Sequence, residues 1–220
     1  LSIKERYKDT AIYEITNVPT PNLKNAFCAR TYGEGIVFNA DKEAFGKIKK
    51  SGCTGNSYLD LYYMEKGSNG SWLEPTPFDG KLNGIFHVGN ATFNEKQDVT
   101  FFTKSNTKGR RLIKNNRNEN NLKIFKSNKI NGKWCNEIEL PFNSDNYSCG
   151  HPTITEDGKT LYFISDMPGG EGGTDIYKIK FTNGVWTNPE NLGKIINTPD
   201  NEMFPYISFD GTLNHSNNRF

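Results

Sequence analysis

The chain predicts an all-β fold: a β-propeller of four-stranded antiparallel blades, three full and one partial, forming part of a larger propeller. Three observations carry this. The same turn occurs as Asn69-Gly70-Ser71-Trp72, Asn131-Gly132-Lys133-Trp134 and Asn183-Gly184-Val185-Trp186, which takes in every tryptophan. Asn-Gly favours the positive dihedrals of a tight hairpin, and the Trp that follows anchors the returning strand. The tryptophans are 62 and 52 residues apart, and a phenylalanine recurs at Phe38, Phe102 and Phe163. A period of roughly 50–65 residues with four strands per unit is that of propeller blades. No stretch has convincing helical periodicity.

Each element follows in order. Residues 1–24 hold Ala11-Ile12-Tyr13-Glu14-Ile15, an expected strand that ends a preceding blade or completes the last one. Blades are expected over 25–83, 84–146 and 147–200. In each, strands A and B form a first hairpin, clearest as His151 to Phe163 around Asp157-Gly158, with weaker copies from Cys28 to Phe38 and from Asn90 to Phe102. Strand C follows as Leu59-Asp60-Leu61-Tyr62, Leu122-Lys123-Ile124-Phe125 and Thr174-Asp175-Ile176-Tyr177, and the Asn-Gly-x-Trp turn leads to strand D. An incomplete blade occupies 201–220. It opens as Phe204-Pro205-Tyr206-Ile207, but Asn214-His215 stands where the repeat asks for a pair like Tyr162-Phe163.

Composition bounds the function. The chain has 220 residues, is 34% apolar and carries a formal charge of +2, with a mean hydropathy of -0.72. That balance does not direct the chain to nucleic acid or an acidic membrane surface. No run reaches the roughly 18–20 apolar residues of a membrane-spanning helix. The first residues lack the apolar stretch of a signal peptide and an initiator Met, as a mature or excised segment would.

Cys28, Cys53, Cys135 and Cys149 show no metal-ligand spacing. Free structural thiols are the simplest reading. Cys28 with Cys53 is the disulfide to test, since both map near the face that carries the long loops, and Cys135 is expected unpaired. Gly169-Gly170-Glu171-Gly172-Gly173-Thr174 lacks the Gly-Lys-Ser/Thr of a phosphate loop and reads as a flexible connection. His151 could line a central channel, but its blade equivalents are Cys28, Asn90 and Phe204, so no ring of metal ligands repeats. Asp60 and Asp175 precede strand C and read as acceptors for backbone N–H groups at a turn. No catalytic, cofactor or metal residue is expected.

The segments Glu139-Leu140-Pro141-Phe142-Asn143-Ser144-Asp145, Ser165 to Tyr177 and Asn191-Leu192-Gly193-Lys194-Ile195-Ile196-Asn197-Thr198-Pro199 resemble the WD40-like (TolB-type) propeller of OmpA-family outer-membrane proteins of Bacteroidota. The resemblance covers residues 25–213 and is most specific over 139–207. It implies a periplasmic position associated with the outer membrane. It also implies envelope proteins as partners, one branch being similar to an accessory component of type IX secretion and gliding machinery. Peptidoglycan binding belongs to an OmpA-like domain that these residues do not contain.

The B to C loops, 39–58, 103–121 and 164–174, are long and share a face with the D to A connections, whereas the Asp-Gly and Asn-Gly turns are short and lie opposite. A scaffold presenting one binding face is expected to distribute length in this way. The partner-binding candidates are Lys104, Lys108, Arg110, Arg111, Lys114 and Arg117 in the second loop, with Tyr58, Tyr147 and His151. Aromatic residues do not interleave with those charges, which argues against single-stranded nucleic acid. The leading reading is a non-enzymatic interaction scaffold of the envelope. Alternatives are a glycan- or peptidoglycan-binding propeller stacking sugars on Tyr58, Tyr62, Tyr147 and Tyr206, and, third, a propeller glycosidase or lyase, for which no acid and base pair in corresponding loops.

Overall fold

The computed structural model describes residues 16–41 and 57–218. The strand expected over Ala11–Ile15 lies outside the described residues. Among those described there is no helix, and hence none long and apolar enough to cross a membrane.

The first sheet contains β1 (Phe27–Tyr32), β2 (Gly35–Asp41), β3 (Leu59–Glu65) and β4 (Thr76–Pro77), in that spatial order. The second contains β5 (Val88–Phe93), β6 (Val99–Ser105), β9 (Leu122–Ile130) and β10 (Lys133–Glu139), and its B to C loop carries the small hairpin β7 (Thr107–Lys108) and β8 (Arg111–Leu112). The third contains β11 (Cys149–Ile154), β12 (Thr160–Ser165) and β13 (Asp175–Thr182), with β14 (Val185–Trp186) and β15 (Glu190–Asn191) both pairing with β13. Pro189 separates these two outer pieces and has no N–H to give a ladder. A fourth hairpin pairs β16 (Glu202–Ile207) with β17 (Leu213–Asn217). All pairings are antiparallel.

Two of the Asn-Gly turns are tight two-residue hairpins with both residues left-handed, Asn131 and Gly132 at φ 51° and 76°, and Asn183 and Gly184 at 53° and 82°. The first copy differs from expectation. Only Gly70 is left-handed there, and a wider turn is closed by Gly67 N donating to Ser71 O at 2.8 Å. The tryptophans pack back against the sheets. Trp134 is buried among Tyr32, Phe78 and Phe93, which joins the first and second sheets, and Trp186 lies edge-on to Phe101 of the second sheet at 5.6 Å.

Neighbouring blades bury both faces of a B strand. Phe102 faces a core with Val37, Leu61 and Trp134, while Phe101 faces a core with Leu161, Phe163 and Ile179. This explains the Phe-Phe pair, because a strand covered on both sides has no polar face. The fourth blade keeps its B strand with Asn214 and His215 in it. Asn214 is exposed, and a polar residue suits a face that no sheet covers among the described residues.

Every A strand contains the same irregularity. The register shifts between Phe27 and Arg30, Gly89 and Thr92, Gly150 and Thr153, and Met203 and Tyr206. One residue in each bulge is left-handed: Cys28, Asn90, His151 and Phe204, with φ of 53°, 45°, 50° and 51°.

Candidate functional site

The loop face is built by asparagines. Long loops must find partners for backbone groups that no strand satisfies. In each full blade one Asn of the D to A connection pairs with both backbone groups of a strand C residue, as a further strand would. Leu61 N donates to Asn83 Oδ1 and Asn83 Nδ2 to Leu61 O, both at 2.9 Å. Asn143 does the same with Ile124 at 2.9 and 2.8 Å, and Asn197 with Ile176 at 2.8 and 3.1 Å. The spacings of 60 and 54 residues follow the tryptophan period, a signal that sequence reading passed over.

The second-blade loop is pinned to the connection that follows it. Asn106 Nδ2 donates to Asp145 Oδ1 and Asn121 Nδ2 to Asp145 O, each at 2.7 Å. Asn120 Nδ2 donates to Asn106 O and Ile113 O at 2.7 and 2.6 Å. Buried Lys123 reaches Glu139 at 2.8 Å and Asp145 at 2.9 Å. Hydrogen bonds from Lys123 and Asn106 hold the Asp145 carboxyl below its ordinary range.

The glycine-rich loop of the third blade is likewise seated rather than free. Glu171 N donates to Asp175 Oδ2 at 2.5 Å, and Asn191 Nδ2 donates to the same oxygen at 2.8 Å. Asp175 thus performs the acceptor role expected of it. A Cβ at Gly170 would collide with that carboxylate, and one at Gly172 with the carbonyls of Thr198 and Asp200. In the second and third blades the B to C loop and the D to A connection therefore share one face. The A to B turns meet on the other, where Gly33 N donates to Gln97 Oε1 at 2.7 Å and Glu95 N to Glu156 O at 3.3 Å.

The sequence-predicted residues separate into groups. Lys108, Arg110, Arg111, Lys114 and Arg117 are exposed on the loop face. Arg117 pairs with Glu119 at 3.0 Å, and Lys114 donates to Asn118 at 2.9 Å. Lys104 belongs to β6 instead of the loop, held by Glu137 at 2.8 Å above the rings of Phe102 and Phe125. Tyr58 is only 6% exposed, packed edge-on against Phe86 and His87, so it offers no face to a partner. Tyr62 is buried too. The Tyr147 hydroxyl donates to Phe142 O at 2.8 Å and its ring packs on the core. Cys28, Cys135 and Cys149 are free thiols, with burial pushing Cys149 up to about 12. Cys53, the partner proposed for Cys28, lies outside the described residues.

His151 lies where the A strands of the blades approach one another. The left-handed residues of all four A strands, Cys28, Asn90, His151 and Phe204, line one narrow cavity with Arg30 and Tyr206. Asn90 N donates to Asn39 Oδ1 at 2.7 Å and His151 N to Thr103 Oγ1 at 3.1 Å, each reaching a B strand of the preceding blade. At the third junction the equivalent residue is Ile164, which has no acceptor. Phe204 N turns instead to His151 Nδ1 at 3.3 Å, and the two rings stack at 4.3 Å. Burial pushes the imidazole down to about 4 from its ordinary 6.5. The first and fourth blades meet through Phe27 against Phe204 and the Arg30 guanidinium above the Tyr206 ring at 4.8 Å. Among the described residues no three His, Cys, Asp or Glu side chains gather as a metal site would require.

Repeated four-stranded sheets around a common axis, with loops and turns on opposite faces, define a β-propeller-type domain. No family model matches the sequence, and no curated protein matches it. Among solved structures the chain is similar to a TolB-like protein of Agrobacterium tumefaciens, with a TM-score of 0.50 and 14% identity over 81% of this chain and 48% of that one. It is also similar to TolB of Acinetobacter baumannii, with a TM-score of 0.42 and 20% identity over 81% and 33% of the two chains. A puromycin-hydrolysing peptidase of Mycobacterium tuberculosis gives 0.46 and 13% over 88% and 28%. At these identities the likeness is one of fold, the TolB/WD40-like propeller. The chain spans about half or less of each of these three proteins.

Proposed function

We propose that this chain is a non-enzymatic propeller module that organises a periplasmic assembly by protein contacts made through its loop face. The observation that carries the reading is the asparagine-built rigidity of that face. A surface already ordered before contact loses little conformational freedom on binding. It presents five exposed basic side chains from one loop, and beside the third-blade loop Ile195 stands 97% exposed. Exposed basic residues suit an acidic protein surface, and an exposed aliphatic side chain on the same face suits an apolar contact.

The finer reading extends the sequence resemblance. The module serves an OmpA-family protein associated with the outer membrane, and its partners are envelope proteins, those of secretion or gliding machinery included. Burial of Tyr58 and Tyr62 removes two of the four aromatics on which a sugar-binding reading relied. The test compares two ligands on one immobilised chain: solubilised envelope proteins and purified muropeptides. Salt-sensitive capture of a discrete envelope protein, with no saturable muropeptide binding, is the expected result. Saturable muropeptide binding alone would replace this reading with the glycan one.

A further inference from the structure

The geometry points to a binding site for a small monovalent anion, a halide or an acetate-sized carboxylate, in the cavity where the four A strands meet. The cavity has a volume of about 60 Å³, and roughly 10–15 Å³ already holds a water molecule. Its lining, Cys28, Arg30, Asn90, Ala91, His151, Pro152, Phe204, Pro205 and Tyr206, contains no carboxylate. Arg30 brings a positive charge whose Nε is buried and without a hydrogen-bond partner, and no ion pair engages this guanidinium among the described residues. A buried guanidinium donor left unmet is costly, and an anion is the ligand that relieves it.

A second donor is fixed by the blade junction. Because His151 Nδ1 accepts from Phe204 N, the neutral imidazole carries its proton on Nε2, on a ring that lines the same cavity. The Tyr206 ring beneath the guanidinium and the bond from Arg30 Nη1 to Ala29 O at 3.3 Å orient the arginine without neutralising it. A second, wider cavity that shares Arg30 and Tyr206 with this one is lined by Glu95 and Glu156. Their charges disfavour multiply charged anions, which is why the site takes a monoanion. A bound anion would tie the first blade to the third and fourth at the axis, where Phe27 meets Phe204 and Arg30 meets Tyr206.

The test titrates the whole chain at neutral pH with sodium bromide and, separately, sodium acetate, with sodium sulfate holding ionic strength constant. The His151 ring proton is followed by NMR, assigned with His151→Asn. A saturable shift in the millimolar range is expected for His151, with His87 and His215 unmoved. Arg30→Gln should weaken it about tenfold or more, and Arg30→Lys should retain part of it. Response to bromide or to acetate tells halide from carboxylate. Linear, unsaturable shifts with both salts, or an unchanged curve in Arg30→Gln, would overturn the site. Should Arg30→Gln fail to fold, wild-type crystals soaked separately in bromide and in acetate decide: an anomalous peak or acetate density beside Arg30 supports the site, and a cavity empty after both soaks overturns it.

Discussion

Asn197 pairs with Ile176 through both backbone groups of the isoleucine, so that one side chain continues the third sheet where the main chain has turned away. Asn143 and Asn83 repeat the arrangement on Ile124 and Leu61. Replacing Asn197 or Asn143 by Ala leaves a strand C N–H and C=O without partners, at a cost of about 1–3 kcal/mol each. Asp keeps the acceptor but loses the donor and should fall between. Urea unfolding followed by tryptophan fluorescence measures the series.

A steric prediction concerns the glycine-rich loop. Gly172→Ala places a Cβ against two backbone carbonyls that cannot move independently of the 198–200 connection. The variant should be destabilised by about 1–3 kcal/mol, and limited proteolysis should cut it within 166–174 sooner than the parent. Gly184→Ala meets nothing within 4 Å and bears only the strain of its φ of 82°, so its loop should stay as resistant as before.

The tryptophans should rank by burial. Trp134 is 2% exposed between the first two sheets. Trp134→Ala should cost about 3–5 kcal/mol, Trp186→Ala less, and Trp72→Ala least, since Trp72 flanks a wide exposed turn and packs, half-buried, on the small cluster of Phe38, Ala40, Tyr62 and Met64 with Lys66 beside its ring. Melting temperatures of the three variants test the order.

His151 sets a pH dependence. Its folded pKa of about 4 lies below the ordinary 6.5, so the unfolded chain binds the extra proton first. Stability from this group is complete above about pH 6.5 and is lost progressively as pH falls toward 4. Asp145, Asp157 and Asp210 are held below 3.8 and lose their contributions at lower pH still. His151→Phe keeps a ring beside Phe204 but leaves its N–H unmet. It should be less stable than wild type at pH 7 and show a flatter slope of melting temperature between pH 6.5 and 4.

The hairpins were legible because Asn-Gly-x-Trp combines a backbone requirement with a large apolar residue. The asparagine clamps were not, although their spacing is as regular. A lone Asn in a loop looks like any turn residue, and what sets these three apart is a partner on a distant strand. The axial bulges were hidden for a related reason. Cys28, Asn90, His151 and Phe204 share a left-handed backbone but no chemistry, and of these residue types only Asn and His are enriched in that region. Tyr58 and Tyr62 were misplaced on the surface because a strand-edge tyrosine shows its burial only once the neighbouring connection is in place.

The most direct test of the loop-face claim is photo-crosslinking in living cells, with the crosslinker placed singly at Arg110, Arg117 and Ile195 on the loop face and at Lys96, Asp157 and Gly211 in the A to B turns opposite. The account predicts a discrete protein adduct from the loop positions, lost when the remaining basic residues of 108–117 are changed to Ser, and none from the turns. Adducts from the turn positions alone, or equal adducts from both faces that survive neutralisation of the loop, would contradict it.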